Sequence, residues 1–94
     1  MLEIRHETSG DIVLIGRMDA SQAERAQVAF HQITTSTTID LTRLDYVSSI
    51  GLSVFVNAQV RLQENGHTLR LVNPQPRVLA VIHFAGLSPL FGLE

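Results

Sequence analysis

Two adjacent serines, Ser48 and Ser49, stand directly before an apolar segment and are the residues of this chain best suited to covalent chemistry. A serine hydroxyl can attack a carbonyl, accept a phosphoryl group, or cap a helix. The first use wants the strained G-x-S-x-G turn, and Val47 stands where Ser49 would need its first glycine. The third use is the plainer one, because a hydroxyl at a helix start accepts a bond from an orphan backbone N–H. The second use fits the same place. A phosphate at a helix N-terminus meets free N–H groups and a favourable dipole, so the domain stays folded while gaining about −1.5 to −2 charges.

Other candidates are weaker. His6, His31, His67 and His83 are never three to five residues apart, so a metal site has no local nucleus. Asp40 and Asp45 could form a carboxylate pair, but the plainer reading puts Asp40 at a strand end and Asp45 in solvent. With no cysteine, disulfides, thiolate zinc sites and cysteine nucleophiles are excluded. All 7 basic residues are arginine, so lysine Schiff bases and the Walker-type phosphate lysine are excluded too. The formal charge is −2, and the arginines are scattered along the chain. These features argue against nucleic-acid binding. No apolar run is long enough to insert into a membrane, and Met1-Leu2-Glu3-Ile4-Arg5 does not read as a signal peptide. The expectation is a cytoplasmic protein with no cofactor and no catalytic residues. The terminal Leu93-Glu94 resembles the remnant of a removed tag and is given no functional weight.

The elements that must hold the serines follow from the pattern. At 94 residues the chain is long enough for one core, and residues 1–94 are expected to form a single domain. Leu2, Ile4 and His6 alternate with Glu3, Arg5 and Glu7, the period of a half-exposed strand. Ser9-Gly10-Asp11 turns the chain into Ile12-Val13-Leu14-Ile15, a run that suits a strand covered on both faces. Asp19 or Ser21 can cap the next helix, and Ser21-x-x-Glu24 fits a capping box. Ala23, Ala26, Val28, Phe30 and Ile33 give it an apolar stripe through about residue 33. The run Thr34 to Thr38 reads as a polar connector into a strand over 38–41, with Leu44 to Val47 as a connecting stretch. Leu52 to Asn65 is helix-compatible, with Leu52, Phe55, Val56, Gln59 and Leu62 at helical spacing and Val54, Ala58 and Val60 widening the apolar face. A fourth strand over 67–72 and a helix over 77–84 follow. Leu87 to Leu93 either adds a short last strand or packs down. The order predicts an α/β fold, a mixed and mostly parallel sheet of four or five strands with helices packed on it.

The stretch Asp40-Leu41-Thr42-Arg43-Leu44-Asp45-Tyr46-Val47-Ser48-Ser49-Ile50-Gly51-Leu52 resembles the signature of STAS domains, specifically the bacterial anti-sigma-factor antagonists. The likeness extends to Gly16-Arg17-Met18-Asp19, to Gly66 through Pro74, and to Val78 through Leu87. The resemblance implies a partner switch. The unmodified domain binds an anti-sigma factor that is also a serine kinase of the histidine-kinase-like ATPase fold. Phosphorylation of one serine releases it, and a PP2C-type phosphatase restores it. Aligning the motif on Gly51 puts the phosphoserine at Ser49, with Ser48, where the family often has aspartate, as second choice. Partner contact is then expected from Met18, Asp19, Ser21, Ser48, Ile50 and Ser53, with the domain a monomer. The chain stops soon after Phe91, where the family as a rule has another strand and helix. A second function class is a STAS module serving as a structural or regulatory subunit of a transporter or larger signalling assembly. An intact acceptor serine favours the switch over that reading.

Overall fold

The computed structural model describes residues 1–93; Glu94, the last residue of the pair set aside above, lies outside the described residues. The chain runs β1 (Leu2–His6), β2 (Ile12–Met18), α1 (Ala20–His31), β3 (Thr37–Val47), α2 (Ser49–Glu64), β4 (Leu69–Val72), α3 (Pro76–Phe84) and a closing 3-10 turn, Ser88–Phe91. The sheet order is β1-β2-β3-β4, with β1 antiparallel to β2 and the other pairs parallel. This is the mixed, mostly parallel sheet that strand–helix alternation predicts.

The register puts Ile12, Leu14, Met18, Ile39, Leu41, Leu44, Val47, Leu69 and Leu71 on one face, and all of them are buried. Phe30 of α1 and Leu52, Phe55 and Leu62 of α2 fill the same core. Phe91 joins it edge-on to Phe55, which in turn meets Phe30 at 5.6 Å between ring centroids. Residues 87–93 therefore pack down through a 3-10 turn and add no strand.

The opposite face differs from expectation. Val13 and Ile15 are only half-buried and do not pack on the core, so the β2 run is covered on one face. Strand β3 also extends beyond its expected end, to Val47. Two register shifts against β2 interrupt its alternation, which is why its second half reads as a connector. Asp40 consequently lies mid-strand, where its carboxylate accepts from the Thr42 backbone N–H at 2.9 Å and hydroxyl at 2.6 Å. Strand β4 starts at Leu69, not at 67.

The helices show smaller departures. Val28 and Val60 point to solvent at 63% and 47% exposure. Val28 is two residues from both Ala26 and Phe30, about 200° around the helix from each, so it cannot share their face. Ile33 is buried beyond the end of α1, not on its stripe. Among the three helices α2 carries the longest run of buried positions, Gly51 through Leu62.

Candidate functional site

The carboxyl ends of β2 and β3 lie side by side, Met18 opposite Val47, and each feeds a helix on the next residue or two. Asp19 caps α1: its Oδ1 accepts from the Ser21 N–H at 3.1 Å and from the Ser21 hydroxyl at 2.6 Å. The cap is therefore Asp19, and Ser21 sits inside the first turn, so the Ser21–Glu24 capping box does not form. Those bonds, the Ser21 hydroxyl first, hold the Asp19 carboxyl below its ordinary range, with the cation Arg17 at 3.9 Å adding to the effect.

Ser48 caps α2, its Oγ accepting from the Gly51 N–H at 3.1 Å. The Ser48 N–H donates to the Met18 carbonyl at 3.0 Å, which locks the two helix starts together. Gly51 makes that approach close. A Cβ there would stand 2.6 Å from the Met18 carbonyl oxygen and 3.0 Å from Val47 Cγ2, so only glycine fits without displacement.

Ser49 is the first residue of α2 and is exposed. Among the described residues nothing hydrogen-bonds its hydroxyl, whereas that of Ser48 is committed to the cap. Next to it Ile50 is 53% exposed, and Ser53 is exposed with its hydroxyl on the Ile50 carbonyl at 2.6 Å. Asp19, Ser21, Ser48, Ile50 and Ser53 thus gather at one end of the sheet with Ser49. Met18 departs from the expectation for a contact residue: its side chain is fully buried, and only its carbonyl serves the site.

The α2 stripe holds one polar member that spacing alone treats as apolar. Gln59 is buried, donating its amide to the Leu69 carbonyl at 2.9 Å and the Leu90 carbonyl at 2.7 Å, and accepting from the Leu69 N–H at 2.6 Å. A glutamine on a core-facing helical position is the signal for such an anchor. Two residues further along α2, Arg61 donates to the Phe30 and Ile33 carbonyls at 2.8 and 2.7 Å and satisfies the end of α1. A cavity of about 310 Å³, lined by Asp11, Ser36, Thr38 and Arg70 among others, opens at the far end of the sheet from Ser49. Of the Thr34–Thr38 run, Thr34 to Ser36 form the expected connector, while Thr37 and Thr38 already belong to β3. Among the described residues no group of three acids or histidines is placed to hold a metal ion, and no helix is long and apolar enough to cross a membrane.

The sequence matches the STAS domain family over residues 3–94. The chain belongs to the STAS domain family. It is 31% identical over 88 residues to anti-sigma-B factor antagonists of Listeria monocytogenes and Listeria innocua, the match covering 89% of this chain and 77% of each relative. Its fold is similar to that of the anti-sigma factor antagonist SpoIIAA in its unphosphorylated form, at a TM-score of 0.76 and 24% identity over 96% of this chain and 84% of that one. SpoIIAA of Bacillus in its phosphorylated form superposes at 0.70, with 21% identity and coverage of 96% and 87%. The STAS fold of this chain presents two tied helix starts at the carboxyl ends of the parallel strands β2 and β3, and among the described residues the Ser49 hydroxyl on the second is free.

Proposed function

We propose that this STAS domain is an anti-sigma-factor antagonist, itself without catalytic activity, switched by phosphorylation of Ser49. Unmodified, it binds an anti-sigma factor that is also a serine kinase; the phosphorylated form is released, and a PP2C-type phosphatase resets it. The observation that carries the reading is the contrast between the two serines. Ser49 is exposed at the first position of α2 with an uncommitted hydroxyl, while Ser48 spends its oxygen on the cap. The names of the Listeria relatives support the antagonist role.

The helix start supports a phosphate that acts outward. At the first turn of α2 its charge meets unpaired N–H groups and the positive end of the dipole, so it costs the fold little. The surface around it, Ile50 and Ser53 on α2 and Ser21 on α1, is exposed, with the Asp19 carboxylate beside Ser21. A dianion there changes the character of a packed interface through desolvation and repulsion.

The test pairs the domain with the kinase co-purified from its source cell and identified by mass spectrometry. With ATP, Ser49 takes the label and Ser49→Ala does not. In calorimetry Ser49→Ala binds the kinase like the wild type, and Ser49→Asp binds at least tenfold more weakly. Label on Ser48 alone, or equal binding by the two folded variants, refutes the assignment.

A further inference from the structure

The cavity of about 310 Å³ at the amino ends of the parallel strands has a polar lining. Ser36, Thr37, Thr38 and Thr68 bring hydroxyls to it, and Asp11 and Arg70 are the two charged residues among those that line it. Register sets these two apart. Thr38 pairs with Arg70, and Asp11 and Thr38 each stand one residue before the paired Ile12 and Ile39. Asp11, Thr38 and Arg70 thus form one row across the starts of β2, β3 and β4. Their next neighbours Ile12, Ile39 and Leu71 are buried on the helix side, so the row lies on the open face. Adjacent strands are about 4.8 Å apart, so carboxylate and guanidinium arise about 10 Å apart with a threonine between them.

Neither charge is spent within the chain. Among the described residues the ion pairs are Arg5 with Glu3 and Arg17 with Asp19, and neither the Asp11 nor the Arg70 side chain makes one. Two more acids stand near the row. Glu7 is the neighbour of Asp11 across the hairpin, its N–H donating to the Asp11 carbonyl at 2.9 Å, and it adds to the negative side. Asp40, two residues beyond Thr38, turns its Oδ1 to the N–H and hydroxyl of Thr42, towards the far end of β3. The row is therefore negative at β2 and positive at β4, with no excess of positive charge. That suits a ligand bearing both charges and not a plain anion. The wall is also held in place. Ser36 Oγ accepts from the Thr68 N–H at 3.0 Å, the Thr37 N–H donates to the Thr68 carbonyl at 3.1 Å, and the Gln59 amide donates to the Thr68 hydroxyl at 3.4 Å.

We propose that this cavity binds a small ω-amino acid, its carboxylate on Arg70, its ammonium on Asp11 and its chain over Thr38. A guanidinium matches a carboxylate through two parallel N–H bonds. One arginine among Asp11, Glu7 and Asp40 favours that monoanion over a phosphate dianion. Contacts of about 2.8 Å at each end of the row leave roughly 4 Å between the charged groups of the ligand. A chain of two or three methylenes spans that gap, and glycine does not. The cavity lies at the far end of the sheet from Ser49, so binding here is independent of the switch proposed above.

The probe is γ-aminobutyrate, titrated into the ¹⁵N-labelled chain. It shifts the amides of Ser36, Thr38 and Arg70 in a saturable way. Butyrate, butylamine and glycine each bind at least fivefold more weakly. Arg70→Gln and Asp11→Asn each lower the affinity at least fivefold, Arg70→Lys loses less than Arg70→Gln, and Ser49→Asp changes nothing. Arg70 is exposed and Asp11 half-buried at a strand start, so the spectra of these variants report an intact fold. The proposal fails if butyrate or butylamine binds as well as γ-aminobutyrate, or if sodium chloride at the same concentration produces the same shifts. It fails equally if O-phosphoethanolamine binds more tightly than γ-aminobutyrate, if the shifts fall on α2 or α3, or if neither charge-removing variant weakens binding.

Discussion

Single atoms separate Ser49 from its neighbour. Both serines could be acceptors on sequence, and the N-cap bond from Gly51 to Ser48 Oγ distinguishes them. Asp19 plays the corresponding part on α1, and its depressed pKa has a direction that can be measured. The folded carboxyl titrates below its unfolded value of about 3.9. Its contribution is therefore complete above the unfolded value and is lost as pH falls through the folded one. Urea melts of wild type and Asp19→Asn should converge as the pH drops from 6 towards 3, with the wild type losing more stability over that window; parallel losses would show that the carboxylate is not held. Gly51 is the third residue on which the arrangement turns. A methyl group there meets the Met18 carbonyl at 2.6 Å, backbone that cannot swing away. Ala is the better helix former, yet the clash outweighs that gain. Gly51→Ala is expected to lose about 1–3 kcal/mol in urea unfolding, the usual cost of overpacking.

The elements divide into those whose pattern is local and those shaped by a neighbour. α2 was legible because its apolar positions, its serine cap and the Asn65-Gly66 stop all agree on one helix. The start of that helix was legible as well, since the serines before Gly51 mark an N-terminus. β3 was not, because its register shifts against β2 break the alternation that marks a strand, and a shift is a property of the pair. Nor could the sequence say that Met18, adjacent to the Asp19 cap, turns its side chain into the core. The open face was hidden for a related reason: Val13 and Ile15 look as buried as Ile12 and Leu14 until the helices are seen to lie on one side. Gln59 is the clearest case of an element depending on another. It bonds both the N–H and the carbonyl of Leu69 at the start of the edge strand β4 and holds the last turn through Leu90. Gln59→Leu keeps the volume but leaves those backbone groups unpaired, so it should cost about 2–3 kcal/mol, and amide exchange at Leu69 should accelerate. Equal protection at Leu69 in the variant would remove the anchor role.

Across the whole molecule, the buried core and the proposed switch residue stand apart. The aromatic chain Phe30, Phe55 and Phe91 joins α1, α2 and the closing turn into one core. Ser49 stands outside it, on a helix end where added charge meets N–H groups and not apolar packing. Two substitutions should therefore behave in opposite ways. Phe91→Ala empties a fully buried aromatic site and is expected to cost about 3–5 kcal/mol, a large share of the roughly 5–15 kcal/mol available to a domain of this kind. Its melting temperature should fall by more than about 12 °C at the usual conversion for this size. Kinase affinity of the fraction that remains folded at low temperature should be unchanged. Ser49→Asp should leave the melting temperature within about 3 °C of wild type, because the negative charge sits where the α2 dipole favours it, and should lose kinase binding. The crossed result decides the matter. If Ser49→Asp destabilises the domain as Phe91→Ala does, its loss of binding is a loss of folding, and the phosphate would act by melting the STAS domain instead of by changing the surface its partner meets.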